Sequence, residues 1–253
     1  AIIPMLCLRF KPEGRLIVGI VLGQAAGVWL LYLLSSFTGR LSYLSIFLTA
    51  SLFLLFFLAS LFLPKIFFNK RALSYWKEFL SIKAFSVEFL VLLSFLALFF
   101  TWLNLHAILP ADAAGNLYTT EHVWADTPFH VSLINSFVYR DNFPATYPIL
   151  VNAPLGYPFL VDFHTAALIK GGLTLRQGIM VSNILLQAPL FLLIYLIAAK
   201  LGGSRRTGLL ASFIFLFLET SASFWLSRTF PTREVCFPGW GICPGDIQAQ
   251  RWE

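Results

Sequence analysis

Long apolar runs separated by short polar stretches dominate this chain. Four runs have about the length that a membrane-crossing helix needs, roughly 20 residues; they cover residues 16–37, 43–63, 87–109 and 179–199. A fifth, residues 207–225, has Glu219 as its only acidic or basic residue. The pattern predicts an all-α protein, a polytopic transmembrane bundle of about five spanning helices.

Residues 121–164 interrupt this pattern with a polar segment. The segment gathers histidines, carboxylates, prolines and aromatic residues between two apolar regions. Ionisable groups close to a membrane are costly unless they serve a function. We therefore expect the chemistry of the chain to lie here.

A short amphipathic helix is predicted over residues 128–140 of the polar segment. The stretch ADTP, residues 125–128, is typical of a helix start, with an acidic or hydroxyl cap and a proline in the first turn. Apolar residues then recur at helical spacing, opposite Ser132, Asn135 and Ser136. The apolar positions are Val131, Ile134, Phe137 and Val138.

A second short helix is predicted to begin near residues 156–158. The run 155–173 that contains it also contains Pro158, Asp162, His164 and Lys170, too polar a set for a convincing span. We expect both short helices to lie at the membrane interface.

The placement of basic residues predicts the orientation. They cluster before the first span, in the connection 64–86, and in the connection 200–206. All three clusters can be cytoplasmic, as the positive-inside rule requires, if 155–173 does not span. The N-terminus is then cytoplasmic, and residues 110–178 form a large external loop that carries both interfacial helices.

Three regions follow from this topology. Residues 1–86 form a two-span membrane region with a cytoplasmic basic connector, 87–226 a membrane core, and 227–253 an external tail. We expect the chain to be an N-terminal part of a longer protein, since it begins at Ala1 and the tail has no closing feature.

Composition excludes a soluble globular domain. Hydrophobic residues make up 58% of the chain, charged residues 12%, and the mean hydropathy is +0.78. Soluble domains carry about 25% charged residues. The expected partners are membrane lipids and not nucleic acid, and the oligomeric state is left open.

Asp126 is the main candidate for catalysis. The dipole at the start of its helix favours the ionised carboxylate. His130 lies one turn later on the same side of the helix. Trp124 and Phe129 bracket the pair with aromatic surface. The alternative remains that Asp126 is only a helix cap and His130 a hydrogen-bonded interfacial residue.

Asp162 and His164 are candidates for substrate binding. Two residues apart on a helix, they point about 200° from each other and cannot easily bind one metal. Asp162 lies in an apolar run and needs a partner. No metal-binding spacing is present, so we assign no metal ligands; a divalent cation stays open as a cofactor. A disulfide between Cys236 and Cys243 is also left open, as an external location would permit it.

The arrangement from residue 87 to about 225 resembles the GT-C superfamily of membrane glycosyltransferases. Its members use polyprenyl- or dolichyl-phosphate sugars and include protein mannosyltransferases and aminoarabinose transferases. WADTPFH places Asp126 where the family has its catalytic acidic residue, and DNFPATYP and NAPLGYPFLVDF are similar to proline- and aromatic-rich stretches of bacterial members. Two spans precede the usual start of the family, and its later helices are absent.

The resemblance implies an inverting transfer from a lipid-linked sugar donor, on the outer face of a bacterial or archaeal plasma membrane. Asp126 would be the general base, with His130 beside it. Arg140, Arg228 and Arg233 are candidates for the donor phosphate, although interfacial snorkelling is the alternative for each. Two other classes stay open: a transporter subunit, which would need polar residues inside the spans, and a non-catalytic membrane scaffold.

Overall fold

The computed structural model describes residues 11–62, 85–108, 117, 126–150 and 153–229. In this part of the chain every regular element is a helix, which confirms the all-α class. A π-helical turn, Asn104–Ile108, extends the third helix. The helices are α1 Pro12–Thr38, α2 Tyr43–Phe62, α3 Val87–Leu103, α4 Asp126–Tyr139, α5 Leu160–Lys170, α6 Leu175–Leu201 and α7 Arg205–Thr229.

Three helices are long and apolar enough to cross a membrane, judged by length and composition: Pro12–Thr38, Val87–His106 and Leu175–Leu201. They are compatible with an integral membrane protein. The described apolar part of α2, Tyr43–Ala59, is shorter. The bundle of about five spans therefore stays a prediction.

The long helices begin and end where local chemistry allows. Pro12 and Glu13 occupy the first turn of α1, and Gly39 ends it in the left-handed region at φ 73°, where a side chain would be strained. At the start of α6, Thr174 and Gln177 form a capping box, in which each side chain accepts a hydrogen bond from the backbone N–H of the other.

One end of the bundle, which we call the basic end, contains the starts of α1, α3 and α7. Glu13 in α1 accepts a hydrogen bond from the backbone N–H of Ser86, just before α3, at 2.9 Å. Arg205 in α7 forms an ion pair with Glu88 in α3 at 3.3 Å. The basic connection 200–206 lies at this end, because α6 ends and α7 begins there.

The opposite end, which we call the site end, contains the end of α3 and the start of α6. The Arg176 side chain donates to the backbone oxygen of Leu105 at 2.8 Å, and the Asn183 amide donates to Asn104 Oδ1 at 2.8 Å. The helices α3 and α6 therefore run antiparallel. The turn between α1 and α2 also lies here, since Leu31 and Leu41 pack with residues of α4 and α5.

Two apolar cores correspond to the two ends. The core toward the basic end joins α1, α3, α6 and α7 through Ile17, Phe89, Tyr195 and Leu216, among others. The core at the site end lies under α4 and α5. Its buried members are Leu31, Leu41, Leu133, Ile134, Phe137, Val138, Phe163 and Ala166.

Helices α6 and α7 cross closely at Gly208. A Cβ atom on Gly208 would lie 2.5 Å from the backbone oxygen of Tyr195 and 2.9 Å from the Cβ of Ala199. Only glycine fits at such a distance, and small residues are the usual means of close helix packing in membranes. Gly208 therefore sets the spacing of this helix pair.

The two short helices of the polar segment exist close to their predicted positions. Helix α5 has 11 residues and is about 17 Å long, too short to cross a hydrocarbon core of roughly 30 Å. It begins at Leu160, with Phe159 as its cap, and not near 156–158. Pro158 keeps Tyr157 out of the helix, because proline disfavours helical backbone in the residue before it. Helix α4 begins at Asp126, two residues before its predicted start.

The predicted apolar face of α4 is confirmed, with one correction. All four predicted apolar positions are buried, and three of them, Ile134, Phe137 and Val138, belong to the core at the site end. Ser136, predicted on the polar face, is also buried. Its hydroxyl donates to the Leu133 backbone oxygen at 2.7 Å and accepts from the Asn142 amide at 3.0 Å, so its polar atom is satisfied inside the structure.

Candidate functional site

The structure joins His130 of α4 to Asp162 of α5. The imidazole Nδ1 donates to Asp162 Oδ1 at 2.9 Å. Both residues lie near the starts of their helices, and at the other end of the same pair Lys170 Nζ donates to the Val138 backbone oxygen. Helices α4 and α5 therefore lie side by side in the same direction, which brings the two side chains together.

Aromatic packing fixes this helix pair. Phe137 of α4 contacts Phe163 of α5 edge to face, with ring centroids 5.4 Å apart. Tyr32 of α1 contacts Phe159 and Phe163 at 4.9 and 5.4 Å, and its hydroxyl oxygen accepts from the Ala145 backbone N–H. The first long helix thus supports the short helices that carry the His130–Asp162 pair.

The two members of the pair differ in exposure. The Asp162 side chain is 5% exposed and the His130 side chain 36% exposed. Within the described residues, Asp162 Oδ2 is buried and makes no hydrogen bond. Because Nδ1 is engaged by Asp162, Nε2 is the ring nitrogen left for water or a ligand.

Two carboxylates favour the protonated form of His130. The hydrogen bond with Asp162 raises the pKa of His130 above its usual value of 6.5; partial burial opposes this, and the charges of Asp162 and Asp126 reinforce it. The imidazole is therefore charged over a wider range of neutral pH than a free histidine.

Asp126 lies in the first turn of α4, one turn before His130, and is exposed. The charge of Asp126 is the smallest of the effects that raise the pKa of His130, after the hydrogen bond and the charge of Asp162. An exposed carboxylate at the start of a helix is accessible to a substrate and favoured by the helix dipole. Trp124, predicted to flank it, lies outside the described residues.

An aromatic rim surrounds the exposed side of His130. Its ring contacts Phe129 and Tyr157, with centroids 5.6 and 5.7 Å away. Phe129 also contacts Tyr147 at 5.4 Å and Tyr157 at 5.1 Å. Such amphipathic rings bury the apolar faces of a ligand while the tyrosine hydroxyls can hydrogen-bond to it.

His164 faces away from this pair. Its Nδ1 shares a hydrogen bond of 2.9 Å with the hydroxyl of Ser182, which is buried in α6. Burial lowers the pKa of His164 below 6.5, which favours the neutral ring. Asp162 and His164 therefore contact different neighbours, as the angle between them on the helix predicts, and His164 links α5 to α6.

The remaining predicted site residues are not brought to this cluster by described contacts. Arg140 is exposed just beyond α4. The side chain of Arg228, and Arg233, Cys236 and Cys243 as a whole, lie outside the described residues. Within the described ranges no three His, Cys, Asp or Glu residues are grouped as a metal site would require.

Sequence reasoning missed the His130–Asp162 pair and the polar contacts at the site end. Asn104 is buried and accepts from Asn183, and Arg176 caps the end of α3. Asn104 gave a signal, because it is a polar residue late in an apolar run. The pairing of His130 with Asp162, which lie 32 residues apart in the sequence, gave no such signal.

Comparison with protein-family models, curated proteins and solved structures finds no match to this chain. The chemical capacity of the site therefore follows from its own residues. An exposed carboxylate and an oriented imidazole, one helical turn apart, can exchange protons with a substrate in the rim of aromatic rings.

Proposed function

We propose that the protein is an integral membrane glycosyltransferase that transfers a sugar from a polyprenyl-phosphate donor to an acceptor on the outer face of the membrane. The observation that supports this most is the placement of Asp126. It is an exposed carboxylate, one turn from the His130–Asp162 pair, on a short helix at the end of helices long enough to span a bilayer.

Asp126 acts as the general base. It takes a proton from the acceptor hydroxyl or amine, whose lone pair forms a bond to the anomeric carbon. The bond from that carbon to the phosphate oxygen breaks on the opposite face, and its electron pair leaves with the phosphate. The sugar configuration is inverted, and the products are the glycosylated acceptor, polyprenyl phosphate and protonated Asp126.

The surroundings of the site suit a lipid-linked substrate. Ile149, Leu150 and Val161 are exposed apolar side chains in the segments that flank the aromatic rim. A polyprenyl chain lies among lipid tails while its phosphate stays at the interface, where such side chains can insert. In this proposal the opposite end is cytoplasmic, as the basic clusters of the sequence predict under the positive-inside rule, so that the site faces outward. Described basic residues lie at both ends: Lys11, Arg15, Lys200, Arg205 and Arg206 toward the opposite end, and Arg40, Arg140, Lys170 and Arg176 toward the site end.

The spanning helices favour an enzyme over a transporter. Their acidic and basic residues lie near their ends: Glu13 and Arg15 in α1, Glu88 in α3, and Arg176 and Lys200 in α6. Transporters bind substrate with polar groups near the membrane midplane. In these three helices no charged group lies at the middle, where the polar side chains include the neutral Gln24 in α1 and Gln187 in α6, so the preference for an enzyme rests on the absence of charge there.

Membranes that contain the protein test the proposal. Polyprenyl-phosphate hexoses with a radiolabelled sugar are added, and the label transferred to material that is no longer lipid-soluble is measured over time. Asp126→Asn keeps the shape and removes the base. Asp141→Asn is the matched control, because Asp141 is exposed in the same region and has a left-handed φ of 48° that asparagine also tolerates.

The proposal expects transfer by the wild type and by Asp141→Asn, and loss of transfer in Asp126→Asn. Full transfer in Asp126→Asn would remove Asp126 as the base. Release of the unchanged donor on the other side of the membrane, without label in an acceptor, would indicate a transporter.

A further inference from the structure

The His130–Asp162 pair is not required by a base that acts alone. A buried carboxylate costs several kcal/mol unless its charge is compensated, and here Asp162 is compensated by an imidazole that remains partly exposed. The pair therefore directs one ring nitrogen, Nε2, outward into the aromatic rim. What that nitrogen contacts is open.

We propose that His130 contacts the leaving phosphate of the donor through Nε2, and that Asp162 is the positioning residue that holds the imidazole for this contact. The inference rests on the proposed function and assigns a second group of the same site. It assigns the contact with the phosphate to His130, in place of Arg140, Arg228 and Arg233, the candidates from the sequence.

The charge that develops during transfer fits this role. A sugar–phosphate–lipid diester carries one negative charge, and the phosphate monoester that leaves carries up to two, with a second pKa of about 6. An N–H donor at the leaving oxygen binds more strongly as the bond to the anomeric carbon breaks. Interactions that strengthen in the transition state are the ones that raise the rate.

The protons balance in this scheme. The acceptor proton goes to Asp126, and the electron pair of the broken bond goes to the phosphate oxygen. The Nε2 proton of His130 is donated to that oxygen as a hydrogen bond, or transferred to it and recovered from water when the product leaves. In either case the proton is the one that the imidazolium form of His130 already carries on Nε2.

The groups around His130 make the contact feasible for an anion. Asp162 on α5 neutralises the imidazolium, so the pair has no net charge, and Asp126 on α4 becomes neutral when it takes the acceptor proton. Tyr157, before α5, contacts the ring through its aromatic face. His164 is turned to Ser182, and Lys170 bonds to the Val138 backbone, so neither faces His130.

Binding of farnesyl phosphate, a short polyprenyl phosphate monoester, tests the assignment on the purified chain in detergent. We expect His130→Gln, whose amide can still donate but carries no charge, to weaken binding about tenfold, as replacement of a charge-assisted hydrogen bond by a neutral one does. Asp162→Asn should weaken it several-fold. Asp141→Asn and Asp126→Asn should bind as the wild type or more tightly.

Three further ligands show which part of farnesyl phosphate the site recognises and whether another phosphate compound binds equally well. Farnesol measures the contribution of the lipid chain, inorganic phosphate that of a free anion, and phosphatidylglycerol that of a bulk lipid headgroup. We expect His130→Gln to change the binding of farnesyl phosphate alone. If the three phosphate compounds bind equally well, the site is a general anion site and the assignment to the donor is wrong.

NMR of the imidazole distinguishes positioning from a purely structural role of Asp162. In Asp162→Asn the pKa of His130 should fall, and the upper pH limit of farnesyl phosphate binding should fall with it. A variant that only loosened the fold would weaken binding without this joint shift. Unchanged binding in folded His130→Gln would overturn the inference.

The outcomes separate this inference from the proposed function. If Asp126→Asn loses transfer but His130→Gln binds farnesyl phosphate normally, only the phosphate assignment fails. If Asp126→Asn transfers normally, the proposed base fails, whatever the binding result.

Discussion

The His130–Asp162 pair should stabilise the fold in a way that depends on pH. The pKa of His130 is raised in the folded protein above the value of about 6.5 expected of an unfolded chain. A raised pKa means that its stabilisation is fully present below pH 6.5 and is lost as the pH rises through the folded value. The pair should therefore contribute most in mild acid.

The magnitude follows from its geometry. Opposite charges about 4 Å apart attract by roughly 4 kcal/mol at an effective dielectric constant near 20, and solvent-exposed pairs retain only about 0.2–1 kcal/mol. Here the atoms are 2.9 Å apart, with Asp162 buried and His130 36% exposed. After a discount for that exposure, we expect a coupling energy of about 1–2 kcal/mol.

A double-mutant cycle measures this coupling. The free energy of unfolding in detergent is determined for the wild type, His130→Gln, Asp162→Asn and the double variant, at about pH 6 and about pH 9. The cycle cancels the separate effects of each substitution on packing. We expect the coupling near pH 9 to be less than half of that near pH 6.

Two results would refute this reasoning. A coupling energy below about 0.3 kcal/mol near pH 6 is within ordinary additivity and would mean that the side chains do not interact. A coupling that stays constant or grows between the two pH values would mean that protonation of His130 does not matter.

Two further predictions concern packing and topology. Gly208→Ala should destabilise the protein by about 1–3 kcal/mol in thermal unfolding, while Gly27→Ala, whose Cβ would meet Phe53 only at 3.8 Å, should not; equal effects would contradict the close crossing. The topology is tested with a membrane-impermeant maleimide, after the native cysteines are replaced by serine. Asp141→Cys should be labelled on intact cells, and Ser204→Cys only after permeabilisation. Labelling of both variants on intact cells would contradict the placement of these two residues on opposite sides of the membrane.

Local pattern was sufficient to predict most helices. The apolar spacing in α4 buries Phe137 and Val138 as expected, because a helix must cover its apolar face. The pattern wrongly placed Ser136 on the exposed face. A serine can be buried when its hydroxyl has a hydrogen-bond partner, and here the Asn142 amide is that partner. The start of α5 was also predicted too early. Pro158 excludes Tyr157 from the helix, but nothing in the local pattern shows that the helix begins only at Leu160.

The candidate site could be predicted only in part. Asp126 and His130 are one turn apart on one helix, so their proximity follows from helix geometry. Asp162 was expected to need a partner, but the identity of that partner depends on how α4 lies against α5. That packing is set by tertiary contacts such as Phe137 with Phe163, which no local spacing reveals.

The initial rate of sugar transfer by Asp126→Asn, relative to Asp141→Asn, tests the central claim most directly. Removal of a general base costs about 10²–10⁴-fold in rate, so we predict a loss in that range with the binding of farnesyl phosphate retained. Transfer by Asp126→Asn within a factor of about two of the control, far below the loss expected for a base, would contradict the account.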